Sequence, residues 1–95
     1  MTRTADAPRL ASAKATYESR GTRSKFSVEA EDLTGLDGQT ASIFVDGRLV
    51  GSRRIRLGGF DLNRDTRNGQ AVPVIAAGSS VSVAVGGKTI FTGTF

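Results

Sequence analysis

The sequence predicts an all-β domain: a two-sheet antiparallel sandwich of about seven short strands. Three observations carry this. Residues 13–30 alternate apolar and polar side chains on either side of Gly21-Thr22. Two apolar runs flank Asp46-Gly47 in ASIFVDGRLVGSRRIRL, residues 41–57, and that dipeptide readily takes the positive φ values of a two-residue type I′ turn. Turn residues recur at roughly 8–12-residue intervals, and no stretch has helical periodicity. The chain of 95 residues suits one domain with a modest core.

Residues 1–12 mix Thr, Ala, Asp, Pro and Arg without periodicity and read as a flexible N-terminal arm, or as an arm docked on a neighbouring chain. The single domain then spans 13–95. With a type II′ turn at Gly21-Thr22, the register sets Tyr17 opposite Phe26, Ala15 opposite Val28 and Ala13 opposite Ala30 on one face. The other face pairs Glu18 with Lys25, Lys14 with Glu29 and Thr16 with Ser27. A slip of one residue would scramble both faces.

Residues 31–39 form a polar loop under which Leu33 and Leu36 tuck. In the Asp46-Gly47 hairpin, Ile43 is expected opposite Val50 and Phe44 opposite Leu49, so apolar residues lie on both faces. Ser52–Leu57 continues the alternation with Ile55 and Leu57 inward and Arg54 and Arg56 outward. Gly58-Gly59 interrupts, Phe60 and Leu62 resume, and Asn63–Gln70 reads as a loop. Ala71–Ile75 reads as a short strand that Pro73 confines to an edge. Ala77-Gly78 turns the chain, Val81, Val83 and Val85 share a face, and Gly86-Gly87 leads into a closing strand at Lys88–Phe95. The stretch VAVGGKTIF loosely echoes IFVDGRLV, as a shared hairpin pattern rather than a repeat. This count suits an immunoglobulin-like sandwich, with a small closed barrel as the alternative.

Composition narrows function mainly by exclusion. The chain has neither cysteine nor histidine, which removes disulfides, Ser-His-Asp and Cys-His catalysis and ordinary zinc sites. Thirteen Lys and Arg against nine Asp and Glu give a net charge of +4, and only Lys88 among the bases follows residue 70. No apolar run reaches the length of a membrane span. The N-terminus lacks the apolar core of a signal peptide. The protein is therefore cytoplasmic or begins after a removed leader, and the second case favours an extracellular or envelope location. No phosphate-binding glycine loop is present, and Glu29 and Glu31 share a solvated strand face rather than a cleft. An enzyme is not expected.

The runs KATYESRGTRSKFSVEAEDL, VDGRLVG and NGQAVPVIAAGSSVSVAVGGKTIFTGTF resemble small immunoglobulin-like β-sandwich modules of bacterial envelope and extracellular proteins. The likeness covers residues 13–95 and implies a structural or interaction role. Such modules are mostly of unassigned function, so no site residue is carried over.

Three constellations remain. Asp61, Asn63 and Asp65 place oxygen ligands at positions 1, 3 and 5 of a candidate calcium loop. Thr66 stands where that loop wants Gly and Val72 where it wants Glu, so an Asx-rich turn is the competing reading; otherwise no cofactor is expected. Arg48, Arg53, Arg54 and Arg56, extended by Arg64 and Arg67, offer a stripe for an acidic polymer, although no exposed aromatic accompanies it. Residues 69–95 carry one charge, and a closing strand with Lys88, Ile90, Phe91 and Phe95 offers an edge for self-association or a protein partner. The sequence is best read as a non-catalytic structural or protein-interaction module, with polyanion binding and calcium binding as alternatives.

Overall fold

The computed structural model describes residues 1–95 and is a two-layer β-sandwich. Eight strands run β1 (Thr2–Arg3), β2 (Ser12–Arg20), β3 (Arg23–Glu31), β4 (Thr40–Val45), β5 (Arg48–Arg54), β6 (Phe60–Asp65), β7 (Ser80–Val85) and β8 (Lys88–Thr94). One sheet has the order β1-β8-β7-β4-β5 and the other β2-β3-β6. All pairings are antiparallel, and neither sheet closes into a barrel.

The β2–β3 hairpin has the register that alternation dictates, from Ala13 opposite Ala30 to Glu18 opposite Lys25. Gly21 takes φ 61 while Thr22 keeps a negative φ, as a type II′ turn requires. β6 pairs on the far side of β3, with Val28 opposite Leu62 and Ala30 opposite Phe60. The inward set Phe26, Val28, Ala30, Phe60 and Leu62 meets Ala41, Ile43, Val45, Val81, Val83, Val85 and Phe91 of the larger sheet in one core. Leu33 and Ile55 seal its end, both fully buried.

The hairpins β4–β5 and β7–β8 have the same construction. Each turns on two positive-φ residues, Asp46-Gly47 and Gly86-Gly87. Each carries a bulge at the same place: Ile43 pairs Gly51 while Phe44 pairs Leu49, and Val83 pairs Phe91 while Ala84 pairs Thr89. Val50 and Ile90 are the extra residues. Ile43 also pairs Val83 across the centre of the sheet, so a local two-fold axis relates the two hairpins. The bulge breaks the alternation, and Ile90 and Phe91, neighbours in sequence, are both buried.

Six expectations change. The bulge takes Val50 out of the position opposite Ile43 that regular pairing assigns it. Residues 1–4 are not a free arm: β1 pairs with β8, Thr2 opposite Thr92 and Arg3 opposite Phe91, and the Thr4 N–H donates to the Ile90 carbonyl at 2.9 Å. β5 ends at Arg54 because the chain crosses there to the other sheet, and the Ile55 N–H donates to the Gln39 carbonyl at 2.8 Å. Leu57 is consequently not inward; it is 99% exposed at φ 53, on a tight turn closed by Arg56 and Gly59. Finally, β6 extends through Asn63–Asp65, whereas residues 71–75 form no strand. Pro73 has no N–H to donate, yet Val72 and Ile75 still pack on the core.

Candidate functional site

The arginine stripe divides where the chain changes sheets. On β5, Arg48 stands opposite Val45 and Arg53 opposite Ala41, so both share the core-facing side of the strand at its open margin. Arg54, opposite Thr40, lies on the outer side. Arg56 lies beyond the crossover, in a groove of about 600 Å³ on the three-stranded sheet with Lys14, Glu29, Glu31 and Asp61. Arg54 and Arg56 therefore do not share a face. The continuous stripe of Arg48, Arg53, Arg54 and Arg56 is corrected to a β5 group and a separate residue in a charge-mixed groove.

Arg64 joins the β5 group. It stands opposite Phe26 on the inner side of β6, and its guanidinium lies over the backbone of Gly51. A Cβ at Gly51 would fall 2.6 Å from Arg64 Nη2 and 3.2 Å from Leu62 Cδ1. Gly51 thus leaves the room that Arg64 occupies. Arg53 follows two residues along the same strand side, about 6–7 Å further. The one ion pair in the molecule joins Arg23 to Asp65, so Arg48, Arg53, Arg54 and Arg64 have no carboxylate within ion-pair distance. Arg53 donates instead to the Ser52 carbonyl at 2.9 Å and Arg64 to the Asn63 carbonyl at 3.3 Å. The sequence signal for this grouping is a glycine inside a strand, which marks a close approach.

Asp61, Asn63 and Asp65 do not encircle a loop. They are alternate residues of β6 on the outer face of its sheet, with successive Cα atoms about 6–7 Å apart. Asp65 is already engaged. Its Oδ2 accepts from Arg23 Nη2 at 2.8 Å, and its Oδ1 accepts from Arg23 Nε at 3.2 Å and from the Arg67 N–H at 3.0 Å. The Arg23 hydrogen bonds, then that of Arg67, lower its pKa from 3.8 to about 2. No three acidic side chains converge anywhere in the chain. The segment expected to be a loop is thus a strand, whose last residue caps the 3₁₀ turn Thr66–Asn68.

The strand expected to mediate assembly is internal to its sheet. Ile90 and Phe91 are core residues, and Phe95 packs on Phe26 with ring centroids 6.4 Å apart. Residue 95 is held at both backbone groups: its N–H donates to Ser79 and its carbonyl accepts from Gly78. Lys88 is exposed beside the hairpin turn. β8 lies between β7 and β1 and offers no free edge along its middle.

The edge strands are β1, β2, β5 and β6, and β1 is only two residues long. β2 alternates Lys14, Glu18 and Arg20, and β6 mixes Asp61, Arg64 and Asp65, a pattern that discourages further pairing. β5 differs from both. It carries Arg48, Arg53 and Arg54 with no acidic residue, around an uncharged centre Leu49–Ser52 in which Leu49 is 60% exposed.

No helix is long and apolar enough to cross a membrane. Compared with protein-family models, curated proteins and solved structures, the chain gives no significant match, so the likeness to envelope modules rests on its strand and turn motifs alone.

Proposed function

We propose that this domain is a non-catalytic protein-interaction module that takes up an extended partner segment as an added strand along β5. The observation that carries the reading is internal to the fold. The local two-fold axis makes the outer edge of β5 equivalent to the outer edge of β8, and β8 already carries an added strand, β1. Phe91 and Thr92, which pair with Arg3 and Thr2, correspond to Gly51 and Ser52. The Ile90 carbonyl, which accepts from Thr4, corresponds to that of Val50. The β5 edge is thus a copy of a docking edge, without its strand. Strand addition supplies affinity through main-chain hydrogen bonds and specificity through alternate side chains.

The β8 precedent also sets direction: the added strand runs antiparallel to β5. The test is a titration of the isotope-labelled domain with extended eight-residue peptides of varied side chains, followed by amide chemical shifts and hydrogen exchange. Shifts and slowed exchange centred on Val50–Ser52 are expected. Peptides that leave those amides unmoved, or that bind the face of the three-stranded sheet instead, would refute the reading.

A further inference from the structure

Resting on the strand-addition reading, we infer that the segment received by β5 is acidic, with carboxylates at alternate residues on the side that faces β6. An added strand places its side chains beside those of its neighbour, two successive positions on the same side lying about 6–7 Å apart. The residue opposite Gly51 meets no side chain from β5, because glycine has none. It points instead at the guanidinium of Arg64, which lies over that glycine. The residue two positions away, opposite Arg53, meets a second guanidinium on the same side. Arg48 continues the row past the bulge, and Arg54 stands at the strand end on the outer side.

These four cations have no carboxylate partner within the domain, and β5 itself carries no acid to neutralise them. An Asp or Glu at i and i+2 of the segment satisfies two of them in the side-to-side geometry that a β-ladder fixes. The guanidinium suits this role because it forks two N–H donors onto a carboxylate.

The same charges argue against the other occupants of an open edge. A second copy paired through β5 sets arginine beside arginine. A nucleic acid or sulfated sugar can meet the cations but has no peptide groups to pair with the strand. It would also lack aromatic platforms here, since Phe26 is buried in the core and Tyr17 packs against it.

The experiment compares two antiparallel-competent peptides of eight residues, one alternating Glu with Val and Thr and one with Gln in place of Glu. A heparin fragment serves as a third probe. Each exposed ion pair contributes about 1.5- to 5-fold, so the Glu peptide is expected to bind about tenfold more tightly at low salt, with the preference shrinking as salt rises. Arg53→Gln and Arg64→Gln should each remove part of that preference. Lys88→Gln, at the position equivalent to Arg48 on the other hairpin, should leave it intact.

Equal binding of the two peptides at β5 overturns the acidic segment and leaves strand addition standing. Absence of β5 shifts with either peptide overturns both. An equal loss in Lys88→Gln assigns the preference to net charge and overturns the inference. So does tighter binding of heparin on the same amides, or a dimer whose interface protects β5. Retained amide spectra of the variants establish that they fold.

Discussion

Replacing the exposed leucine at position 57 should make the protein more stable, although a large apolar side chain is being removed. Leu57 takes φ 53 and Gly58 φ 77, so the two form the centre of a two-residue turn between Arg56 and Gly59. A residue with a Cβ in the left-handed region costs about 1–2 kcal/mol, which Asn reduces and Gly abolishes. Leu57 recovers none of this by burial, being 99% exposed. Leu57→Asn restores the Asn-Gly pair that such turns favour and should gain about 1 kcal/mol. For a domain of this size that corresponds to a rise in Tm of about 4–8 °C. Leu57→Gly relieves the same strain but frees the unfolded chain by about 0.5–1 kcal/mol, so its gain is smaller. Leu57→Ala keeps the Cβ and should change little. Thermal and urea unfolding of the four proteins gives the order Asn, then Gly, then Ala equal to Leu. A Tm for Ala as high as that for Asn would refute the strain argument, because it would locate the effect in the loss of the exposed side chain. A fall in Tm for Asn would show that the leucine makes contacts the fold does not contain.

Asp46 also takes a positive φ, 50°, and its Oδ1 accepts from the Ser80 N–H at 2.9 Å. Asp46→Ala loses both the local tolerance and the hydrogen bond and should cost about 1–2 kcal/mol by urea unfolding, whereas Asp46→Asn should cost less. The Asp65 carboxyl has a folded pKa lowered from 3.8 to about 2, so it contributes stability that is complete above the unfolded value and lost as pH falls toward the folded one. Acid unfolding of the wild-type protein should steepen across that window. Asp65→Asn should flatten that part of the curve and lower stability at neutral pH.

The parts of the fold legible in the sequence are those decided by local chemistry. Alternation with two opposite-charge pairs fixed the β2–β3 register, because only one pairing puts Tyr17 beside Phe26 and Glu18 beside Lys25. Asp46-Gly47 announced its turn through the φ values the pair tolerates. What was not legible depends on distant neighbours. The alternation of residues 52–57 reads as one strand, and nothing local marks Ile55 as the crossover; the Gln39 carbonyl that receives its N–H belongs to another loop. The sheet strand at Thr2–Arg3 lacks a pattern of its own and exists because β8 offers an edge. The same limit governs the candidate site. Arg54 and Arg56 fit one face only if the strand continues, and Arg64 enters the site only because β6 crosses over Gly51. Asp61, Asn63 and Asp65 suited a loop, but pairing with Glu29, Ser27 and Lys25 draws them into a strand.

The equivalence of the β5 and β8 edges also carries a hazard. The backbone pairing that receives β1 at β8 is repeated at β5, so by backbone geometry alone β1 of one molecule would fit on β5 of the next. Such a contact joins two different surfaces and leaves each new molecule with the same free edge, so it does not close and propagates as a fibre. The residue of β1 that would face Gly51 is Arg3, the counterpart of its present position opposite Phe91. It would arrive against the guanidinium of Arg64 with Arg53 beside it, whereas at β8 it meets no such charge. If β5 receives an added strand as proposed, its arginines would sort such strands by sign and disfavour the chain's own basic N-terminal segment.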